Sequence, residues 1–374
     1  MIYLDSAATT FQKPSAVASA VRRAMETMSS PGRGGYSAAI RAAETVFDCR
    51  TEIAELFGVD NPERIVFTMN ATHALNIALK SLVGKGDHVV ISGYEHNAVT
   101  RPLFAAGVNI AVAKAPLFSS EAVLEAFDHL ITPKTKAVVC NHVSNVFGFI
   151  QPVEQIAELC VHRKVPLVVD ASQSAGVLPL DLSEIETAFV AFPGHKGLYG
   201  PQGTGVLICG EGVQVKALTE GGTGSASLQQ EMPEFLPDRL EAGTHNVPGI
   251  AGLLEGVRHV RRRGIESICL KERSLTFWLA EELKRLKGMR VFAAEGLRNQ
   301  TGVLSIVPEG KDVEWVGAEL AERGIAVRAG MHCAPLAHNS GGTLETGTIR
   351  LSVSDFNTLE ECAKFLRILR KVLA

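Results

Sequence analysis

The chain has 374 residues, 46% of them apolar and 21% charged, with a formal net charge of −3. This composition suits a globular chain large enough for two domains. It excludes disorder and gives no basic surface for nucleic acid or an anionic membrane. Seven cysteines (Cys49, Cys140, Cys160, Cys209, Cys269, Cys333 and Cys362) are scattered without a C-x-x-C pair, and the N-terminus lacks a basic region followed by a long apolar core; both features predict a reduced, cytoplasmic setting.

In chain order, a helix is predicted from Pro14, with Val17, Val21, Ala24, Met25 and Met28 on one face. A second is predicted from about Ser37, with Ala43, Val46, Phe47, Ala54 and Phe57 turned inward and Gly58 as its stop. Extended apolar runs follow at 65–68, 88–92, 137–141, 166–170, 187–192 and 205–209, most with helical connections between them. Such alternation predicts an α/β fold with a mostly parallel sheet buried on both faces. Beyond about Gly256 the pattern changes to a long charged helical stretch reaching Leu283 and Leu286. Short strands near Val291 and Val303 and a terminal helix from Leu359 follow, read as a second, smaller domain. The basic cluster Arg258, Arg261, Arg262 and Arg263 is expected to be a solvated helix face near Gly264.

In parallel sheets, chemistry gathers at the carboxyl ends of the strands. The residues just past each run here form a coherent set. After 65–67 comes Thr68-Met69-Asn70-Ala71-Thr72-His73, opening a helix whose free N–H groups and Thr72 hydroxyl suit a phosphate as well as an ordinary N-cap. After 89–91 comes Glu95-His96-Asn97, where His96 could stack on an aromatic ring or serve as a structural histidine. After 138–140 comes His142-Val143-Ser144-Asn145, with Asn145 placed to donate to a ring oxygen. After 167–169 comes Asp170, able to pair with a protonated pyridine nitrogen or to cap a helix from Ser172 onward. Lys196 lies in Gly194-His195-Lys196-Gly197, where glycines allow close backbone approach. A desolvated lysine amine there can form an imine with an aldehyde such as pyridoxal phosphate. Among the cysteines, only Cys333, in Arg328-Ala329-Gly330-Met331-His332-Cys333-Ala334-Pro335, has a setting expected to stabilise a thiolate, through Arg328 or a protonated His332. No metal site is expected, because His332 and Cys333 lack two further spaced ligands and no H-E-x-x-H occurs. Gly203 and Gly205 precede a run instead of following one, so they are not a dinucleotide fingerprint.

Over nearly its whole length the chain resembles the class V aminotransferase family of fold-type I pyridoxal-phosphate enzymes, and within it the cysteine desulfurases. The resemblance rests on Tyr3-Leu4-Asp5-Ser6-Ala7-Ala8-Thr9-Thr10, Ala71-Thr72, Glu95-His96, His142-Val143-Ser144-Asn145, Asp170-Ala171-Ser172-Gln173, Gly194-His195-Lys196, Glu241-Ala242-Gly243-Thr244, the segment 328–333 and Arg350. It implies a large domain on a mostly parallel seven-stranded sheet at 15–256, and a smaller α/β domain from 1–14 and 257–374.

The resemblance also implies roles. Lys196 would hold pyridoxal 5'-phosphate and shuttle protons, Asp170 would pair with its pyridine nitrogen, His96 would stack on its ring and Gln173 would contact its phenolic oxygen. Ala71, Thr72 and His195 would bind its phosphate, and Thr244 would reach the phosphate of the neighbouring subunit in a homodimer. Arg350 would grip the carboxylate of L-cysteine, assisted by Arg328 and Asn145, and Cys333 would be the nucleophile that takes the sulfur as a persulfide. The compact R-x-G-x-H-C-A loop is similar to that of the SUF-type, or group II, branch, which implies a sulfur-accepting protein partner and a link to iron–sulfur cluster assembly. Met331, Asn70 and His73 depart from the residues common there. L-Selenocysteine is the alternative substrate. An aminotransferase or epimerase is the alternative activity, with no need for Cys333, and a non-catalytic pyridoxal-binding scaffold is the alternative outside catalysis.

Overall fold

The computed structural model describes residues 1–32 and 34–374, the side chain of residue 297 apart. In chain order the elements are β1 (Ile2–Tyr3), α1 (Ser15–Thr27), α2 (Ser37–Leu56), β2 (Ile65–Thr68), α3 (Ala71–Leu82), β3 (His88–Ser92), α4 (Asn97–Ala106), β4 (Asn109–Ala113), α5 (Ser120–Leu130), β5 (Thr135–Asn141), α6 (Val153–Arg163), β6 (Leu167–Asp170), β7 (Phe189–Pro193) and β8 (Gly205–Cys209). There follow α7 (Val247–Arg263), α8 (Ile265–Lys284), β9 (Met289–Phe292), β10 (Val303–Pro308), α9 (Val313–Glu322), β11 (Ile325–Ala326), β12 (Arg328–Gly330), α10 (Pro335–Gly341), β13 (Thr348–Ser352) and α11 (Leu359–Leu373).

Among the described residues the central sheet has seven strands in the order β2-β8-β7-β6-β5-β3-β4. All run parallel except β8, which is antiparallel to both β2 and β7. Period-two alternation divides each strand between two buried faces. Val90, Val138, Cys140, Val169, Val190 and Phe192 join one cluster, and Val89, Val139, Val168, Phe189, Ala191 and Leu207 join another with Leu75, Ala78 and Leu79 of α3. A second sheet, β12-β13-β10-β9, is antiparallel throughout, and β1 pairs with β11 beside it. Its residues Leu304, Ile306, Ile349 and Leu351 belong to the same cluster as the first face of the large sheet.

Three helical expectations change in detail. Met25 and Phe47, expected to face inward, are exposed; α1 buries Val17, Ala20 and Ala24, and α2 buries Ala39, Ala42, Val46, Cys49, Ile53 and Ala54. The charged stretch after Gly256 is two helices, because Gly264 at φ +80° ends α7 and starts α8. Its arginines do more than meet solvent: Arg258 pairs with Glu52 of α2 at 3.0 Å, Arg261 with Glu55 at 2.7 Å, and Arg263 with Asp355 at 2.9 Å. The first two pairs lie where α2 packs on α7. No helix among the described residues is long and apolar enough to cross a membrane.

Candidate active site

The parallel register aligns strand ends. Asn141 pairs with Asp170, and Asp170 with Ala191, so the segments after β5, β6 and β7 emerge at one edge. There a cavity of about 210 Å³ is lined by Asn70, Ala71, Thr72, His96, Asn145, Asp170, Gln173, His195 and Lys196 among others. Residues drawn from separate strand ends therefore share one wall.

Asp170 is almost fully buried and its Oδ1 accepts from Ser172 N–H at 2.9 Å. The capping reading and the cavity-facing reading thus both describe this carboxylate, which has acceptor capacity to spare. Lys196 sits in a turn closed by the Gly200 N–H to Gly194 carbonyl bond (2.8 Å) and the Tyr199 N–H to Lys196 carbonyl bond (2.9 Å). Burial first, then the nearby arginines Arg350 and Arg328, lower its amine to about 8, while Asp170 opposes them. Gly197 is required here, because a Cβ would lie 2.5 Å from the Ala175 carbonyl oxygen.

His96 caps α4, its Nδ1 accepting from Ala98 N–H at 3.0 Å, which places the proton on Nε2. Desolvation lowers its pKa, so the ring is neutral and suited to stacking. At α3 the cap is Asn70, whose Oδ1 accepts from His73 N–H at 2.9 Å; the N–H groups of Ala71 and Thr72 come earlier, at the cavity wall. His195 is held by Thr9, whose Oγ1 lies 3.0 Å from its Nδ1, and by Thr10 N–H, which donates to its carbonyl at 3.1 Å. Burial and the charges of Lys196 and Lys13 push His195 down to about 4. The Gln173 amide donates one N–H to the Ala7 carbonyl at 2.9 Å, which leaves a second N–H on this cavity-lining residue to donate elsewhere.

Asn145 is tied to the turn that carries Cys333. Its amide donates one N–H to the His332 carbonyl at 2.9 Å, and its own Oδ1 is buried without a partner among the described residues. A second bond, from Asn97 N–H to the Cys333 carbonyl at 2.8 Å, ties the same turn to the residue after His96. The turn is tight: Ala334 N–H donates to the Met331 carbonyl, and His332 and Cys333 stand at φ +48° and +54°. Two consecutive non-glycine residues in the left-handed region store about 1–2 kcal/mol each, and the result presents an exposed thiol. The other six cysteines are buried.

The buried setting of His332 disfavours the protonated form expected of it. Burial first, then Arg350 and His338, push it down to about 2, and its Nε2 lies 2.9 Å from Thr348 Oγ1, both of which favour the neutral ring. Arg328 is the remaining cation near Cys333 and lies within electrostatic reach of its sulfur. Arg328 and Arg350 both pair with Asp5, at 2.9 and 2.8 Å, and Arg350 Nη1 also donates to the Asn145 carbonyl at 3.0 Å. Thr244 is not brought to this cavity. It is exposed and lines another, of about 170 Å³, with Thr68, Met69, Glu241 and His245.

Residue-level reading missed Glu95, whose Oε1 accepts from Ser92 Oγ and Asn141 N–H, each at 2.7 Å. It also missed Asp5 and the threonines at 9 and 10. All of them stood inside motifs, but their partners are up to hundreds of positions away, so spacing carried no signal for the contacts.

The cavity fits pyridoxal phosphate on chemical grounds. An amine, a buried carboxylate, a neutral imidazole and a helix N-terminus line one concavity, and the orphaned Asn145 Oδ1 is a polar atom there awaiting a donor.

The chain belongs to the aminotransferase class-V family, which matches residues 2–365. Its relatives carry a more particular name. A probable cysteine desulfurase of Mycolicibacterium paratuberculosis is 34% identical over all of this chain, which spans 55% of that relative's length. One of Xylella fastidiosa is also 34% identical, over all of this chain and 91% of its own. The apo structure of the cysteine desulfurase from Thermococcus onnurineus superposes with a TM-score of 0.90 at 28% identity, covering all of this chain and 94% of that one. The expected fold-type I α/β architecture is therefore that of the protein.

Proposed function

We propose that the protein is a pyridoxal-phosphate-dependent cysteine desulfurase that converts L-cysteine to L-alanine and keeps the sulfur on Cys333. The observation that supports this reading is the Asn97 N–H to Cys333 carbonyl bond, which ties the backbone of a strained residue with an exposed thiol to the residue after His96, and His96 lines the cavity of Lys196 and Asp170. When bound, the cofactor withdraws electrons from the substrate's α-carbon.

The work divides among the residues of the cavity and its rim. Lys196 would hold the cofactor, and its amine, lowered to about 8, can accept and return a proton at that α-carbon. Asp170 would pair with the ring nitrogen, His96 would cover the ring face, Gln173 would meet the phenolic oxygen, and Ala71, Thr72 and His195 would bind the phosphate, with Thr244 serving the neighbouring subunit. Arg350, helped by Arg328 and Asn145, would hold the substrate carboxylate. The Cys333 thiolate attacks the substrate sulfur: an S–S bond forms, the C–S bond breaks with its electron pair going to carbon, and protonation there yields alanine. The terminal sulfur of the persulfide then passes to an acceptor thiol. The same reading includes a cytoplasmic homodimer with a sulfur-accepting protein in iron–sulfur cluster assembly, and a large domain at 15–256 with a small one at 1–14 and 257–374.

The test compares wild type with Cys333→Ala, each loaded with pyridoxal phosphate, for sulfide and alanine released from L-cysteine in the presence of a reductant. The variant should keep the cofactor's yellow absorbance and lose at least about a hundredfold in sulfide release, as removal of a covalent nucleophile does. Retained release removes Cys333 from the mechanism, and keto-acid formation in place of sulfide removes the desulfurase reading.

A further inference from the structure

We propose that Asp5 is a positioning residue for substrate recognition: it sets the plane of the Arg350 guanidinium so that a free edge grips the α-carboxylate of the incoming amino acid. The proposal rests on the reading of Arg350 as the carboxylate ligand and adds the group that aims it.

The N-terminal segment is laid along β13. Ser352 N–H donates to the Leu4 carbonyl at 2.8 Å, Ala7 N–H donates to Ser352 Oγ at 2.9 Å, and Asp5 forms a bridge with Ser352. Arg328 and Arg350 are register partners across β12 and β13, so both side chains rise from the same face of that pair. Asp5 lies between them. Its Oδ1 accepts from Arg350 Nη2 at 2.8 Å, and its Oδ2 accepts from Arg328 Nη2 at 2.9 Å and Nε at 3.2 Å.

Arg350 is only 2% exposed, and Asp5 on one side and the Asn145 carbonyl on the other fix its plane. Its Nε is buried with no hydrogen-bond partner among the described residues. A guanidinium has five N–H groups, and a buried donor left unpaired is costly unless a ligand takes it. Nε–H shares one edge of the guanidinium with a hydrogen of Nη2, and such an edge is the geometry that meets a carboxylate with two parallel bonds. Two cations and one anion leave the cluster one positive charge in excess, which one carboxylate neutralises. The cluster also acts electrostatically on the Lys196 amine, so it stands beside the group that would meet the amino end of the same substrate.

A residue that merely braced the fold would change all ligands alike, whereas an aiming residue changes only those with a carboxylate. Holoenzyme with Asp5, Asp5→Asn or Asp5→Glu is titrated with L-alanine and, in parallel, with cysteamine, which is cysteine without its carboxylate. Binding is read from the cofactor absorbance, and KM and kcat for L-cysteine are measured beside it. Asp5→Asn should weaken L-alanine binding and raise KM about tenfold or more, leave kcat within about threefold and leave cysteamine unchanged, because carboxylate recognition alone is lost. Asp5→Glu, which keeps the charge, should fall between, and it supplies the test if the asparagine variant folds poorly. Unchanged or tighter L-alanine binding in Asp5→Asn overturns the proposal, as does an equal loss for cysteamine. L-Alanine binding reports on the clamp even if wild type releases no sulfide from cysteine, so failure of the desulfurase reading and failure of this one are told apart.

Discussion

Glu95 shows how far a single side chain departs from its ordinary behaviour once buried. It has no exposure, its Oε1 takes two hydrogen bonds, and its Oε2 takes none among the described residues. Burial first, then the Asp170 carboxylate, raise it to about 8. An acid raised in the folded state keeps a proton that the unfolded chain releases above its ordinary value, so stability falls as pH rises from about 4.5 to about 8. Glu95→Gln keeps the oxygen that accepts both bonds and cannot ionise. Its unfolding free energy, from denaturant titrations between pH 4.5 and 9, should match wild type at the acidic end and exceed it at the alkaline end. At about 1.4 kcal/mol per pKa unit, the gap has an upper bound of about 5 kcal/mol. Parallel curves would show that Glu95 ionises normally. Nothing in the sequence announced this, because depth of burial is a property of the assembled sheets. The same blindness produced the protonated His332, whereas Lys196, Asp170 and Cys333 stood out through local signals: glycines on both sides of the lysine, an apolar run before the aspartate, and a loop of arginine, glycine and proline around the cysteine.

At the scale of elements, strand type and most positions were readable from short β-branched runs, and Ile65–Thr68, His88–Ser92 and Gly205–Cys209 fall where the pattern puts them. The edge strand Asn109–Ala113 was missed: its apolar run, Ile110 to Ala113, is only four residues long, half of them alanine, and without a clean alternation, so its β signal is weak. The reversal of β8 was equally invisible, since a strand buried on both faces reads the same in either direction. What rigidifies the Lys196 turn is the approach of a helix. Gly256 of α7 presses on the turn so closely that a Cβ would collide with the Leu198 carbonyl oxygen and sit 3.1 Å from Gly200 N. Gly256→Ala would gain helix propensity of about 1 kcal/mol in an exposed helix, yet here the contact is backbone against backbone, and overpacking of this kind typically costs about 1–3 kcal/mol. The variant should therefore melt lower than wild type and bind pyridoxal phosphate more weakly, because α7 can retreat only by moving the turn that carries Lys196. A rise in melting temperature with unchanged cofactor binding would show that the turn and the helix are not coupled.

At the scale of the whole molecule, the segment bearing Thr244 is held with a firmness that suits a residue working across a boundary. The Glu241 carboxylate is buried against Arg50 of α2 and against His245 of its own segment, and its Oε1 accepts from Phe67 N–H of β2, so two distant parts of the chain fix one end of the segment. Thr244 itself is exposed, and the cavity it lines is separate from that of Lys196. If Thr244 serves the phosphate of the neighbouring subunit, each active site of a two-fold dimer draws Lys196 from one copy and Thr244 from the other. Complementation decides this. Lys196→Ala has no amine for the cofactor, and Thr244→Asp sets a carboxylate against the phosphate, so each homodimer should release little sulfide. In a mixed dimer, the copy that keeps Lys196 receives an intact Thr244 from its partner and one working site is restored. After unfolding and refolding equal amounts together, random pairing of a two-fold dimer leaves about a quarter of all sites intact, and activity should recover to about that fraction of wild type. Were Thr244 to act within its own chain, no mixed dimer would contain a complete site, and the mixture would stay as inactive as its components.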